Sequence, residues 1–312
     1  MIEGASAPPP RVVSLLPAAT EIVCALGLES HLVGRSHECD FPPSVTRLPV
    51  CTSARIAADA SSAEIDRQVR RLVRDALSIY EVDGERLRAL RPDVVVTQTQ
   101  CEVCAVGPAD VERALGAWVG GSPRLVSLAP ARLQDVWEDM RTVARELGRP
   151  ERGERLASAL RDRVARIASV SASLAARPSV ALVEWIEPLM TAGHWGPELV
   201  RLAGGRSVWG HDGGPSERVE PHVLVELDPD VVVVAACGFD LPRTRAEMVA
   251  TLHRPPWNAL RAVRTGRLFV ADGNHYFNRP GPRLVESLEI LAEILHPRRF
   301  RFGHEGSGWQ RI

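Results

Sequence analysis

Short β-branched runs alternate along this chain with segments whose apolar residues recur every three or four positions. Arg11–Leu16 (RVVSLL) is a continuous apolar run of the kind that fills a parallel sheet buried on both faces. Pro17–Thr20 then turns the chain into a helix over Glu21–Leu26, which Gly27 ends. Leu32–Arg35 is a second strand, followed by a loop over Ser36–Pro43. Helical spacing returns over Ala63–Ile79 and Gly84–Leu90, and Arg91-Pro92-Asp93 makes a turn. Val94–Thr97 is the next strand and runs into Gln98–Cys104. A helix over Asp110–Leu115 and a strand over Arg124–Leu128 complete the series. Strands alternating with helices predict a parallel, doubly wound α/β sheet.

Two strongly helical stretches follow, Ala131–Leu147 and Arg152–Ala175. The second has Leu156, Leu160, Val164 and Ile167 at helical spacing and no internal proline, so it predicts a rigid spine. The pattern then starts again. Ser179–Val183, Val231–Ala235 and Arg267–Val270 are strands, and Gly196–Leu202, Pro221–Leu227, Ala246–Leu252 and Pro282–Ile294 are helices. LRALRPDVVVTQTQC (Leu87–Cys101) parallels LVELDPDVVVVAACG (Leu224–Gly238), and Val12–Gly27 parallels Val180–Gly204. A repeat on this scale implies two lobes of one design rather than a solenoid. The expected organisation is a disordered start (1–10), a first lobe (11–130), a helical segment with the spine (131–177) and a second lobe (178–312).

Composition narrows the function. A chain of 312 residues is comfortable as two lobes. Its formal net charge of −1 leaves no electrostatic footprint for nucleic acid or an anionic membrane. No apolar run approaches the length of a membrane span. The start, Met1–Pro10, has neither the basic region nor the apolar core of a signal peptide. The chain as written is therefore expected in the cytoplasm, or in the periplasm or outside the cell if a targeting segment is missing.

In parallel sheets, ligands bind beyond the carboxyl ends of the strands. Applied here, that rule collects Pro17, Ala18, Ala19 and Thr20 after the first strand, and His37, Glu38, Cys39 and Asp40 after the second. It adds Gln98, Gln100, Cys101 and Cys104, then Glu184 and Trp185, then Cys237, and last Asn274, Tyr276 and Asn278. Trp185, Trp195 and Trp209 fall in or near second-half loops and suit a flat, apolar ligand surface. Cys101 and Cys104 form a CxxC pair with three open readings: two small residues of a pocket wall, a metal set with Cys39 and His37, or a redox pair. No nucleophile–base–orienter set and no phosphate-binding glycine loop stands out, so an enzyme is not expected.

RVVSLLPAATEIVCALGLESHLVG, the RPDVVVTQ strand, the long connecting helix, GGRSVWG and DPDVVVV together resemble the substrate-binding proteins of vitamin B12 and iron–siderophore ABC transporters. The segments SHECD and QCEVCAV resemble its cobalamin-binding branch. The resemblance runs from Arg11 to His296. It implies two α/β lobes bridged by one rigid helix and a metal chelate in the cleft between them, a corrinoid such as cobalamin being the first expectation. It places ligand contacts on Pro17–Thr20, His37–Asp40, Gln98–Cys104, Glu184-Trp185, Trp195 and Asn274–Asn278. It also implies docking on a permease through exposed glutamates, of which Glu220 matches the second-lobe one. No resident cofactor is implied, a bare metal ion is the alternative ligand, and the chain is expected to act as a monomer.

Overall fold

Each half of the chain centres its sheet on a valine-rich strand that follows a Pro-Asp turn. The computed structural model describes residues 9–75, 78–99, 107–115 and 123–312. By internal contacts the chain divides into two compact units. The first holds the residues up to Ala57, Val69–Ala129 and Glu138–Leu156; the second holds Ala58–Gln68, Pro130–Trp137 and Ala157–Ile312.

In chain order the first part contains β1 (Val12–Ser14), α1 (Pro17–Ala25), β2 (Leu32–Arg35), β3 (Thr52–Ala54), α2 (Ser62–Arg74) and β4 (Tyr80–Val82). It continues with α3 (Gly84–Leu90), β5 (Val94–Gln98), α4 (Pro108–Leu115), β6 (Arg124–Leu128), α5 (Leu133–Glu146) and α6 (Pro150–Ala172). The strand order β2-β1-β5-β6 is parallel throughout. The order reverses between β1 and β5, which makes their carboxyl ends the topological switch point. Val13, Leu15, Ile79, Leu87, Val95 and Val111 build the core of this unit, and Cys51 is buried among them.

The second part contains β7 (Ser179–Trp185), β8 (Met190–Thr191), α7 (Gly196–Leu202), β9 (Arg206–Ser207), α8 (Pro221–Leu227) and β10 (Val231–Val234). After these come α9 (Leu241–Thr251), α10 (Arg261–Arg264), β11 (Leu268–Ala271), α11 (Leu284–Leu295) and β12 (Trp309–Arg311). β11, β10, β7 and β9 are parallel, with β8 and β12 antiparallel beside them.

The repeat has a physical basis. Leu87 and Leu224 are both fully buried, and each short helix ends in a left-handed residue, Arg91 or Asp228, before the proline. Asp93 then accepts from the Arg11 N–H at 2.8 Å, at the entry to β1. Asp230 accepts from the Ser179 N–H at 2.8 Å, at the entry to β7. The Val-rich strands pair in parallel with the same partners, β5 with β1 and β10 with β7.

Several boundaries differ from the pattern. α1 begins at Pro17 rather than Glu21, because proline at the first helical position needs no N–H partner. α2 ends at Arg74, and the Ile79-Tyr80 pair that continued its apolar spacing belongs to the core and to β4. α9 begins at Leu241, capped by Asp240, whose carboxylate accepts from the Arg243 N–H at 2.9 Å. α6 runs from Pro150 to Ala172, with its first two turns in the first unit and the rest in the second.

Candidate functional site

In the first unit the loop after β2 is organised by Arg35, the last residue of that strand. Its Nη1 donates to the carbonyls of Ser36 and Cys39, both at 3.0 Å, and its Nη2 to that of Thr46 at 3.1 Å. One guanidinium thereby holds the backbone that carries His37, Glu38 and Asp40. The His37 N–H donates to Thr52 Oγ1 at 3.0 Å, and His37 Nδ1 lies 2.8 Å from the same oxygen. The Tyr80 ring stands 5.7 Å from the imidazole, and its hydroxyl donates to Glu38 Oε1 at 3.2 Å. Burial, and secondarily the Arg35 charge, holds the His37 pKa below its ordinary value, so the ring is neutral at pH 7. Thr52 and Tyr80 lie on β3 and β4, short strands with no clear periodic signal, and sequence reasoning missed both.

Other first-unit candidates face inward. Ala18, Ala19 and Thr20 occupy the buried first turn of α1, which leaves Pro17 as the partly exposed member of that group. The Thr20 hydroxyl lies 2.8 Å from Ser14 Oγ and 3.0 Å from Cys39 Sγ, and Cys39 is 1% exposed. The expected wall position of Cys39 is thus a core position, because the thiol completes a hydroxyl network behind the loop. Gln98 is the buried last residue of β5. Gln100, Cys101 and Cys104 lie outside the described residues. Among the described residues, no three His, Cys, Asp or Glu gather to hold a metal ion.

In the second unit the carboxyl ends of β7, β10 and β11 carry the candidates. Glu184 and Trp185 end β7, and both are partly exposed. Burial pushes the Glu184 carboxyl up to about 7, against the opposing hydrogen bonds from Ser216 and the Gly193 N–H. The Trp185 indole N–H donates to the carbonyls of Ser62 at 3.2 Å and Glu187 at 3.1 Å. Ser62 belongs to the strap of residues 58–68, which Arg243 also ties down by donating to the Ala58 and Ala60 carbonyls. The Trp185 edge is therefore engaged by the chain itself. Trp195 is 8% exposed and donates to the Phe277 carbonyl at 2.8 Å, and Trp209 donates to the Leu182 carbonyl at 3.1 Å. These two indoles brace the unit rather than form the open aromatic surface their loop positions suggest.

The loop after β11 sits against the loop after β10. A Cβ on Gly273 would fall 2.1 Å from the Ala236 carbonyl oxygen, so only glycine permits that approach. Asn278 Nδ2 donates to the Ala235 carbonyl at 3.1 Å, and Asn274 Oδ1 accepts from Arg279 at 2.9 Å. Tyr276 lies partly exposed with the Arg283 guanidinium 5.4 Å from its ring. Cys237 is half-buried in the β10 loop, and its N–H donates to the Glu184 carbonyl at 3.0 Å. Glu220 is exposed at the start of α8 and makes no side-chain capping bond. Together these residues offer a neutral imidazole, two acids and a phenol hydroxyl in one unit, and amides, a phenol and an acid in the other.

The profile of the family described as Periplasmic binding protein matches residues 12–274. The vitamin B12-binding protein of Photorhabdus laumondii is 22% identical over 311 residues, spanning 93% of this chain and 89% of that protein. Among solved structures, a periplasmic heme-binding protein from Pseudomonas aeruginosa superposes with a TM-score of 0.71 at 26% identity, covering 93% of this chain and 94% of that one. The periplasmic vitamin B12 binding protein of Vibrio cholerae gives 0.66 at 20% identity, covering 94% and 99%. The two-lobe α/β fold with parallel sheets is shared with both.

Proposed function

The chain belongs to the periplasmic binding protein family, whose members bind ligands rather than catalyse reactions, and from that premise we propose that it is the substrate-binding component of an ABC uptake system for a corrinoid such as cobalamin. The observation that carries this reading is the repeated plan of the two units. Each carries polar and aromatic side chains at or beyond the carboxyl ends of its parallel strands, His37, Glu38 and Asp40 after β2 in one, and Glu184 and Trp185 at the end of β7 with Asn274 and Tyr276 after β11 in the other. The vitamin B12-binding relatives, matched over nine-tenths of the chain, support a corrinoid. A haem is the second reading, supported by the Pseudomonas aeruginosa structure, whose identity to this chain is 26%. Glu220, exposed on the second unit, is proposed as a contact for the permease.

Calorimetric titration with aquocobalamin and, separately, with haemin tests the reading. Saturable one-to-one heat with aquocobalamin is expected. Heat with haemin alone would transfer the assignment to haem, and heat with neither at tens of micromolar would remove both the corrinoid and the haem readings.

A further inference from the structure

Glu286, Glu289 and Glu293 recur on one face of α11, a helix buried along nearly its whole length, so their carboxylates need partners inside the fold. Residues 302–309 supply them. The N–H groups of Phe302, Gly303 and His304 and the Trp309 indole all donate to the Glu293 carboxylate, Gly303 at 2.6 Å, His304 at 3.2 Å and the indole at 2.9 Å. His304 Nε2 lies 3.0 Å from Glu289 Oε2, and Arg163 of α6 donates to the other Glu289 oxygen at 2.7 Å. The same segment meets the loop after β11 twice. The Asp272 N–H donates to the Gly308 carbonyl at 2.9 Å, and the Tyr276 ring stands edge-on to the His304 imidazole with 6.1 Å between centroids. The charged groups around this imidazole are Glu286, Glu289 and Glu293 on α11, Arg163 on α6, and Arg283, whose guanidinium also lies 5.4 Å from the Tyr276 ring.

The hydrogen bond to Glu289 holds the His304 pKa above its ordinary 6.5, against burial and with the glutamate charges adding to it. Burial opposes the Glu289 carboxylate, yet bonds from His304 and Arg163 keep its pKa below the ordinary 4.5. The raised histidine contributes stability that is complete below 6.5 and is lost as the pH rises through the folded value. The lowered carboxylate contributes above 4.5 and is lost as the pH falls through its folded value. Burial raises Glu286, whose contribution is likewise lost as the pH rises. On the alkaline side His304 faces the carboxylates without its charge.

We infer that His304 is a proton-controlled positioning residue: its imidazolium, clamped on Glu289, holds residues 302–309 on α11 and through them the Tyr276 ring of the candidate ligand site. Loss of the proton loosens the clamp, lets the phenol ring move and weakens the grip on the ligand. The effect on binding rests on the reading of Tyr276 as a ligand contact; the clamp itself does not.

The test follows the wild type, His304→Gln and Glu289→Gln by NMR of labelled histidine and tyrosine from about pH 5.5 to about pH 9. Tyr276 is one of two tyrosines, so Tyr80→Phe assigns its resonance, and His304→Gln assigns that of His304. Without ligand, the Tyr276 resonance is expected to titrate with the His304 midpoint, to lose that titration in His304→Gln, and to follow a lowered His304 midpoint in Glu289→Gln. A Tyr276 resonance that does not follow His304 would overturn the clamp, and the Glu289→Gln arm decides it alone where His304→Gln does not fold. Binding is then measured by calorimetry with cyanocobalamin, whose axial cyanide keeps the probe from titrating. The rise in Kd from about pH 6 to about pH 8.5 should be about three- to tenfold larger in the wild type than in His304→Gln. Glu184, which titrates at about 7, contributes to both proteins alike and cancels. By linkage, bound cyanocobalamin should raise the His304 midpoint. Equal Kd ratios in the two proteins, or a midpoint that ligand leaves unmoved, would overturn the control of binding. No binding of cyanocobalamin at any pH would overturn the corrinoid reading, and the ligand-free resonances would still decide the clamp.

Discussion

Glu184 shows how far a single side chain can depart from its ordinary behaviour. Its carboxyl titrates near 7 in the folded chain and near 4.5 when exposed, because burial disfavours the charged form more than Ser216 and Gly193 favour it. A folded-state value above the unfolded one means that the stability associated with this group is fully present below about 4.5 and is lost as the pH rises through about 7. Glu184→Gln removes the charge while keeping an amide for Ser216. The variant should therefore be more stable than wild type at pH 8 by about 1–3 kcal/mol and nearly equal to it at pH 4.5. Urea denaturation at the two pH values measures this, and a difference of the same size at both would refute it. Cys24 and Cys51 are the contrasting case. Burial pushes their thiols up to about 12 and about 11, so they behave as packing residues rather than nucleophiles.

At the scale of elements, the helix–Pro-Asp–strand unit is the most legible feature of the chain. Its apolar spacing, its proline and its valines are all local signals, and the aspartate that follows the proline ties the neighbouring strand into the sheet. The second copy is tied more tightly. Asp230 accepts from both the N–H and the hydroxyl of Ser179 at 2.8 Å and pairs with Arg261 at 3.0 Å, whereas Asp93 accepts from the Arg11 N–H. Asp230→Ala should lower stability by about 1–3 kcal/mol and Asp93→Ala by less, as read from denaturation midpoints. The reverse order would refute the tighter tie of the second turn. The short elements β3, β4, β8 and β12 were not legible. Strands of two or three residues are too short to show alternation, and their pairing is decided by chain segments far away in sequence.

For the whole molecule, a binding protein is stabilised by whatever binds its folded state. A chelate present at a hundred times its dissociation constant should add about 2.7 kcal/mol, visible as a rise in Tm that grows with ligand concentration. Aquocobalamin is expected to give that rise, and a Tm independent of its concentration would contradict specific binding. The candidate site was legible as positions: the carboxyl-end rule needs only strand boundaries, and those followed from the apolar runs. It was not legible as orientations. Thr20 and Cys39 stand beyond the carboxyl ends of β1 and β2 yet turn into a buried hydroxyl network, and the Trp195 and Trp209 indoles are committed to backbone carbonyls of their own unit.

The sequence by itself determined the alternation of strands and helices, the internal repeat and the loops that follow the carboxyl ends of the strands. Burial pattern and turn chemistry are properties of neighbouring residues, so they survive in one dimension. Only the tertiary structure decided what surrounds each candidate. Thr52 and Tyr80 reach His37 from β3 and β4, Ser62 reaches Trp185 across more than a hundred residues, and Arg35 gathers carbonyls from across its loop. Such partners are chosen by packing between distant segments, and packing has no period that a linear pattern can carry.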